Sequence, residues 1–195
     1  MLLWEAFRQG NKESFGSLFQ TYYPLLFQFG SKMTSNTALL EDCIQELFVE
    51  LWQSKLPAPA YSVKAYLVKS LKYKILKLLR KDSSLSSVQN ADDISFELSH
   101  EHFLIAKQED LEKSARIKTA ITHLSNRQKE IIYLKYYQNL SYEEVSDIMN
   151  INYQTARNLL YQSIRSLKKI LTNESLLIFI LLFVFSISAE ILVNY

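Results

Sequence analysis

Apolar residues recur at three- and four-residue intervals along most of this chain, the period of helices that bury one face. The clearest case is "NYQTARNLLYQSIR", residues 152–165, where Ala156, Leu159, Leu160 and Ile164, followed by Leu167, form a packing stripe. Its opposite face holds Gln154, Arg157, Asn158, Tyr161 and Arg165, donors, acceptors and a phenol with no carboxylate, a pattern suited to a polyanion. Residues 13–34 and 37–55 show the same period, and Leu40, Ile44, Leu47, Phe48, Leu51 and Trp52 share one side of the second stretch. After the prolines of "KLPAPA" break the pattern, it resumes in "YSVKAYLVKSLKYKILKLLRK", with Tyr66, Leu67, Ser70, Leu71, Ile75 and Leu78 inward and the lysines outward. A further helix is expected around 103–123.

Local stop and start signals sharpen the second half. Ser125 with Gln128, and Ser141 with Glu144, both fit the capping box, so helices should begin at 126 and 142. The second helix presents Val145 and Ile148, breaks at "NIN", and restarts with Asn152 as cap. A helix, a three-residue break and a helix with an amide-and-arginine stripe make a helix-turn-helix, whose second helix enters the DNA major groove.

Composition adds limits. A chain of 195 residues with three Gly, three Pro and 48% hydrophobic residues reads as all-α, in one ordinary domain or two small ones. Cys43 is the sole cysteine, which excludes an intramolecular disulfide framework and a cysteine-based zinc site. No cofactor is expected. His100, Glu101, His102 and His123 lack the Glu-x-x-His or His-x-x-x-His pairing of a helical metal site, so a helical enzyme built on them is disfavoured. The amino terminus has no basic segment followed by an apolar one, so a secretory signal is not expected and the body of the protein is read as cytoplasmic.

Charge is segregated more than it is unbalanced, for the net value is only +2. Residues 61–81 carry Lys64, Lys69, Lys72, Lys74, Lys77, Arg80 and Lys81 with no acid, and tyrosines 61, 66 and 73 are interleaved. Cations beside aromatics suit single-stranded nucleic acid, phosphates held by charge and bases by stacking; a basic amphipathic helix also suits an anionic membrane surface. The preceding stretch is the reverse: Glu41, Asp42, Gln45, Glu46 and Glu50 stand on one side with no basic residue between Thr34 and Lys55. This is either a solvated acidic face or a docking face for a basic partner. From 82 to 102 the chain is Ser-rich, acidic and without sustained apolar period, the best linker candidate.

Two motif blocks in this order resemble the extracytoplasmic-function group of bacterial RNA polymerase sigma factors. "YYPLLFQFGSKMTSNTALLEDCIQELFVELW" is similar to the family's region 2 and "LSNRQKEIIYLKYYQNLSYEEVSDIMNINYQTARNLLYQSIRSLKKIL" to its region 4. The resemblance implies a region 2 bundle over 1–81 that binds core polymerase and the −10 element, a linker over 82–102, a region 4 helix-turn-helix over 103–172 that binds the −35 element, and a hydrophobic tail over 173–195. By position it implies core contacts from Asp42, Gln45, Glu46 and Trp52, with Phe48 and Trp52 also contributing to the core. It implies −10 contacts from Tyr66, Lys69, Lys72, Tyr73, Lys74 and Arg80; Tyr73 stands where the family has asparagine, which keeps stacking and puts base-specific capture in doubt. It implies −35 contacts from Gln154, Thr155, Arg157, Asn158, Tyr161, Gln162 and Arg165. The implied partners are core RNA polymerase and promoter DNA, with an anti-sigma factor as a further candidate.

A second reading is a membrane-tethered helix-turn-helix regulator acting without polymerase, which leaves the "EDCIQELF" face without a purpose. The tail keeps a membrane in view. Residues 176–189 form a run of 14, about 21 Å as helix, and extension through Val193 gives 18, about 27 Å, with Glu190 near one end. Residues 176–193 are thus a candidate tether to the inner face of the cytoplasmic membrane, with Lys168 and Lys169 on the near side. The same run also suits packing on apolar protein surface.

Overall fold

A computed structural model describes residues 2–54, 62–82, 95–98 and 119–171. The chain divides into two compact units, meeting in sequence between Ser95 and Phe96. Among the described residues the regular structure is helical throughout, as the periodicity predicts.

The first unit contains α1 (Leu2–Arg8), α2 (Lys12–Gly30), α3 (Thr37–Gln53) and α4 (Val63–Asp82). Asn11 caps α2 by accepting from the Ser14 amide at 2.9 Å, and Asn36 caps α3 by accepting from Leu39 at 3.0 Å. The helices α2, α3 and α4 pack pairwise, and α1 lies on α2. Leu26 and Phe29 of α2, Leu40 and Ile44 of α3, and Leu67, Leu71 and Ile75 of α4 are buried, so the stripes read from the sequence meet in one core.

Two boundaries differ from the periodicity. The second helix stops at Gly30, and 31–33 form a turn in which the Met33 amide donates to the Gly30 carbonyl. The third ends at Gln53, with Ser54 donating both its amide and hydroxyl to Glu50. The helix α1 is an addition: Trp4 and Phe7 are buried and join Phe15, Trp52 and Tyr66 in an aromatic cluster with centroids about 5–6 Å apart. The Trp4 indole N–H is buried there with no hydrogen-bond acceptor among the described residues.

Gly30 shows how tight the three-helix contact is. A Cβ on it would overlap Leu40 Cδ1 and lie 3.2 Å from Ile75 Cδ1, whereas a Cβ on Gly16 would meet nothing within 4 Å. Gly30→Ala is therefore expected to destabilise the first unit by about 1–3 kcal/mol through overpacking. Gly16→Ala, a gain in helix propensity at an open site, is expected to stabilise by up to about 1 kcal/mol. Urea unfolding of the two variants, followed through the unit's helical signal, checks the opposite signs.

In the second unit residues 119–122 are helical, and α5 (Asn126–Ile132), α6 (Tyr142–Met149) and α7 (Tyr153–Ile170) follow. Helices begin at 126 and 142 as read from the sequence, and both capping boxes are formed. Between α5 and α6 lies a π-helical turn, Tyr133–Tyr137, in which the Gln138 amide donates to the Tyr133 carbonyl at 3.0 Å and its side chain donates to the Tyr133 hydroxyl at 3.0 Å. Ala120, Ile131, Leu134, Val145, Ile148, Ala156 and Leu160 make the core.

The turn between α6 and α7 is built by asparagines. Asn150 takes the left-handed conformation at φ 52°, and the Ile151 amide donates to the Ser146 carbonyl at 3.0 Å, a Schellman closure. Asn152 then caps α7 by accepting from Thr155 at 2.7 Å. These short-range bonds fix the helix-turn-helix.

Part of the expected linker belongs to this unit. In the segment Ser95–Leu98, Ser95 and Glu97 are exposed, while Phe96 is 4% exposed and its ring stands edge-on to Tyr133 at 5.7 Å. The Phe96 amide donates to Asn126 Oδ1 at 3.3 Å. Most of the region expected as helix over 103–123, and the tail over 173–195, lie outside the described residues. Among the described residues no helix is long and apolar enough to cross a membrane.

Candidate nucleic-acid and partner interfaces

Three surfaces carry the residues singled out from the sequence. The first is the outer face of α3, where Asp42, Gln45, Glu46, Val49 and Glu50 line an open concavity of about 410 Å³. Helical spacing puts them there, because Leu40, Ile44, Leu47 and Leu51 occupy the buried side. Trp52 closes this helix at 40% exposure, its ring 5.1 Å from Phe15. Phe48 is a core residue at 3% exposure; Trp52 is a partly open one, placed at the edge of the aromatic cluster.

Cys43 lies beneath this face, fully buried. Burial pushes its thiol up, Glu46 adds to the rise, Lys74 opposes it and Asp42 adds again. A buried thiol held in its protonated form is a poor nucleophile, so its part is packing.

The second surface is the groove between α3 and α4, about 590 Å³, with Tyr66, Ser70, Tyr73 and Lys74 on one wall and Glu50 on the other. Tyr73 is 49% exposed and offers a ring for stacking; Tyr66 is half-buried against Trp4 at 6.0 Å. Lys77 and Arg80 point to solvent, and Lys69 is half-buried. The expectation that the lysines of α4 all radiate outward fails most clearly at Lys72 and Lys74. Lys72 is 8% exposed, because its position follows Leu71 onto the inner side of the helix, where its long stem packs. Lys74 is drawn across to α3, with Nζ 2.6 Å from Glu50 Oε1 and 3.5 Å from Glu46 Oε2.

The third surface is α7. Gln154, Thr155, Arg157, Asn158, Tyr161, Gln162 and Arg165 are all exposed, while Ala156, Leu160, Ser163 and Leu167 are buried. Tyr161 reaches 68% exposure. Gln154 Nε2 donates to Asn158 Oδ1 at 3.1 Å, so these two amides are linked across a helical turn. The Arg157 guanidinium lies over the Tyr153 ring at 5.9 Å, and Tyr153 in turn meets Tyr142 edge-on at 5.7 Å. Lys135 Nζ sits over Tyr142 at 4.7 Å and donates to the Leu140 carbonyl at 2.8 Å. An arginine stacked on an aromatic is held in fewer conformations and keeps its fork free for a planar acceptor pair.

Tyr153 is a neighbour of these surfaces that the sequence reading did not select. It stands four positions from Arg157, so the i,i+4 rule supplied a signal; Glu50 enters the sequence reading only as part of the acidic face of α3. Of the histidines, His123 is exposed and bonds through Nδ1 to the Thr119 carbonyl at 2.7 Å; His100 and His102 lie outside the described residues. Among the described residues no cluster of three or more His, Cys, Asp or Glu side chains is placed to hold a metal.

Comparison with known proteins agrees with this geometry. Residues 18–84 match the family described as Sigma-70 region 2, and residues 114–167 match Sigma-70, region 4. RNA polymerase sigma factor SigV of Bacillus subtilis (strain 168) is 25% identical over 157 residues, 80% of this chain and 88% of the relative. Among solved structures, CnrH in complex with the cytosolic domain of CnrY aligns with a TM-score of 0.57 at 16% identity, covering 86% of this chain and 94% of that one. The sigma factor RpoE, in complex with the anti-sigma factor NepR from Bartonella quintana, aligns with a TM-score of 0.56 at 20% identity, covering 83% and 98%.

Proposed function

The chain belongs to the sigma-70 family of RNA polymerase sigma factors, and from that premise we propose how its surfaces divide the work. It binds core RNA polymerase and directs promoter-specific transcription initiation. In our reading the first unit docks on core through Asp42, Gln45, Glu46 and Trp52 and holds opened −10 DNA through Tyr66, Tyr73, Lys69 and Arg80. The second unit reads the −35 element through Gln154, Thr155, Arg157, Asn158, Tyr161, Gln162 and Arg165. Lys72, being buried, is left out of the proposed DNA contacts, and Lys74 takes a different part, given below.

The observation that carries this reading is the exposed face of α7: an arginine, a paired set of amides and a phenol, with no carboxylate, on the second helix of a helix-turn-helix. Arginine can bridge guanine O6 and N7, and an amide can pair with adenine N6 and N7. The polymerase supplies the chemistry and this chain supplies the address. Its place of work is then the cytoplasm, where polymerase and promoter meet. An anti-sigma factor is proposed as a further partner, by likeness to the RpoE structure.

Run-off transcription with purified core polymerase and a pool of promoter fragments tests the function. Selective initiation is expected; loss of core binding with duplex binding intact would instead favour a regulator that acts on DNA alone. Within that assay Arg157→Ala is expected to lower −35-dependent initiation about tenfold, the loss of one bidentate base contact, with core binding unchanged. Both DNA steps should weaken as salt rises, since neutralised phosphates release counterions.

A further inference from the structure

Lys74 belongs to the DNA-facing helix, yet its ammonium is spent on the docking face. Its side chain is 16% exposed, against 65% for Glu46 and 64% for Glu50, the two carboxylates that hold it. Glu50 lines both the concavity on α3 and the groove that contains Tyr66, Tyr73 and Lys74. One ammonium is shared by two carboxylates, so negative charge is left over on the outer face, with Asp42 beside it. A cationic surface approaching from solvent meets the open side of both glutamates. It therefore competes with Lys74 for the same oxygens. While Lys74 is held between them, it cannot extend to a phosphate.

We propose that Lys74 couples polymerase docking to capture of −10 DNA: Glu50 and Glu46 hold it while the docking face is empty, and a cationic surface of core polymerase takes over the carboxylates and releases it to a DNA phosphate. The proposal rests on the sigma-factor reading above. It gives the free chain a reason to bind single-stranded DNA less well than the docked chain does. Linkage makes the effect reciprocal, so captured DNA strengthens docking by the same factor. The pair is partly exposed, which limits that factor to about two- to fivefold.

The test uses the full chain, core polymerase and a fluorescent single-stranded oligonucleotide of −10 sequence, with Lys74→Met and Glu50→Gln as variants. Methionine keeps the buried stem and removes the charge. Lys74→Met is expected to bind core about two- to fivefold more tightly than wild type in the absence of DNA, and the strengthening of oligonucleotide capture by core should shrink by a similar factor. Glu50→Gln is expected to raise the oligonucleotide affinity of the free chain about two- to fivefold. A Lys74 that only touches phosphate, or only braces α3, would leave core affinity unchanged or lower it, and either result overturns the proposal. An unchanged strengthening factor in Lys74→Met does the same. If Lys74→Met loses its helical signal, Glu50→Gln decides alone, and an unaltered free-chain affinity is then the adverse result. A wild-type chain that binds neither core nor oligonucleotide would overturn the sigma-factor reading itself and the coupling with it.

Discussion

Replacing Asp42 and Glu46 together by lysine is expected to weaken binding to core polymerase by at least about a hundredfold while leaving binding to −35 duplex unchanged. Both carboxylates are exposed on the outer face of α3, one turn apart. A basic partner then meets two like charges where it met two opposite ones, and such juxtapositions cost several kcal/mol, more than about 2.7 kcal/mol being enough for the stated loss. The substitution should not unfold the unit. Neither side chain packs in the core, and the 3.5 Å contact between Glu46 and Lys74 is a long, partly exposed ion pair worth about 1 kcal/mol, with Glu50 still left to Lys74 at 2.6 Å. Competition binding to core, set beside duplex binding by the same preparation, is the measurement. Equal loss of both activities would contradict the division of labour between the two units; no loss of either would remove α3 as the docking face.

The parts of this molecule that were legible in its sequence are those fixed within one or two helical turns. Ser125, Ser141 and Asn152 announce helix starts because each cap bonds to an amide three residues on. The stripe of α3 follows from spacing alone, and so does the exposed face of α7. What stayed hidden depends on contacts between elements. Nothing local to α4 says that Lys74 will cross to Glu50, 24 residues earlier. Lys72 looked like its neighbours, because a lysine stem is apolar enough to be buried while its head suggests solvent. The helix α1 is only seven residues long, too short for a periodic signal, although Trp4 and Phe7 are buried in it. The π turn at Tyr133–Tyr137 continues the apolar run of α5 and leaves no mark on its pattern. Phe96 was passed over for the opposite reason. It stands in a Ser-rich, acidic stretch where Ile94, Phe96 and Leu98 alternate with Ser95 and Glu97 over only five residues, too short a run for a sustained period.

Phe96 is where that omission has the largest energetic consequence. Its neighbours Ser95 and Glu97 are exposed, while its own ring is buried in the second unit. It covers Tyr133, which is 1% exposed, and its amide is tied to Asn126, the first residue of α5. A segment that served only as a spacer would tolerate alanine. Phe96→Ala is instead expected to cost the second unit about 3 kcal/mol, the low end for removing a buried phenylalanine, because the ring packs at the margin of the core. With two units in the chain a single unfolding midpoint would mix their stabilities, so the readout must be local. Amide hydrogen exchange supplies it: protection in α5 and the π turn should fall about a hundredfold, while α2, α3 and α4 of the first unit keep theirs. Undiminished protection at Tyr133 and Leu134 would mean that the segment rests on the unit without holding it together. Loss of protection in the first unit as well would mean that the two units share stability, and that the boundary at residue 95 is not an energetic one.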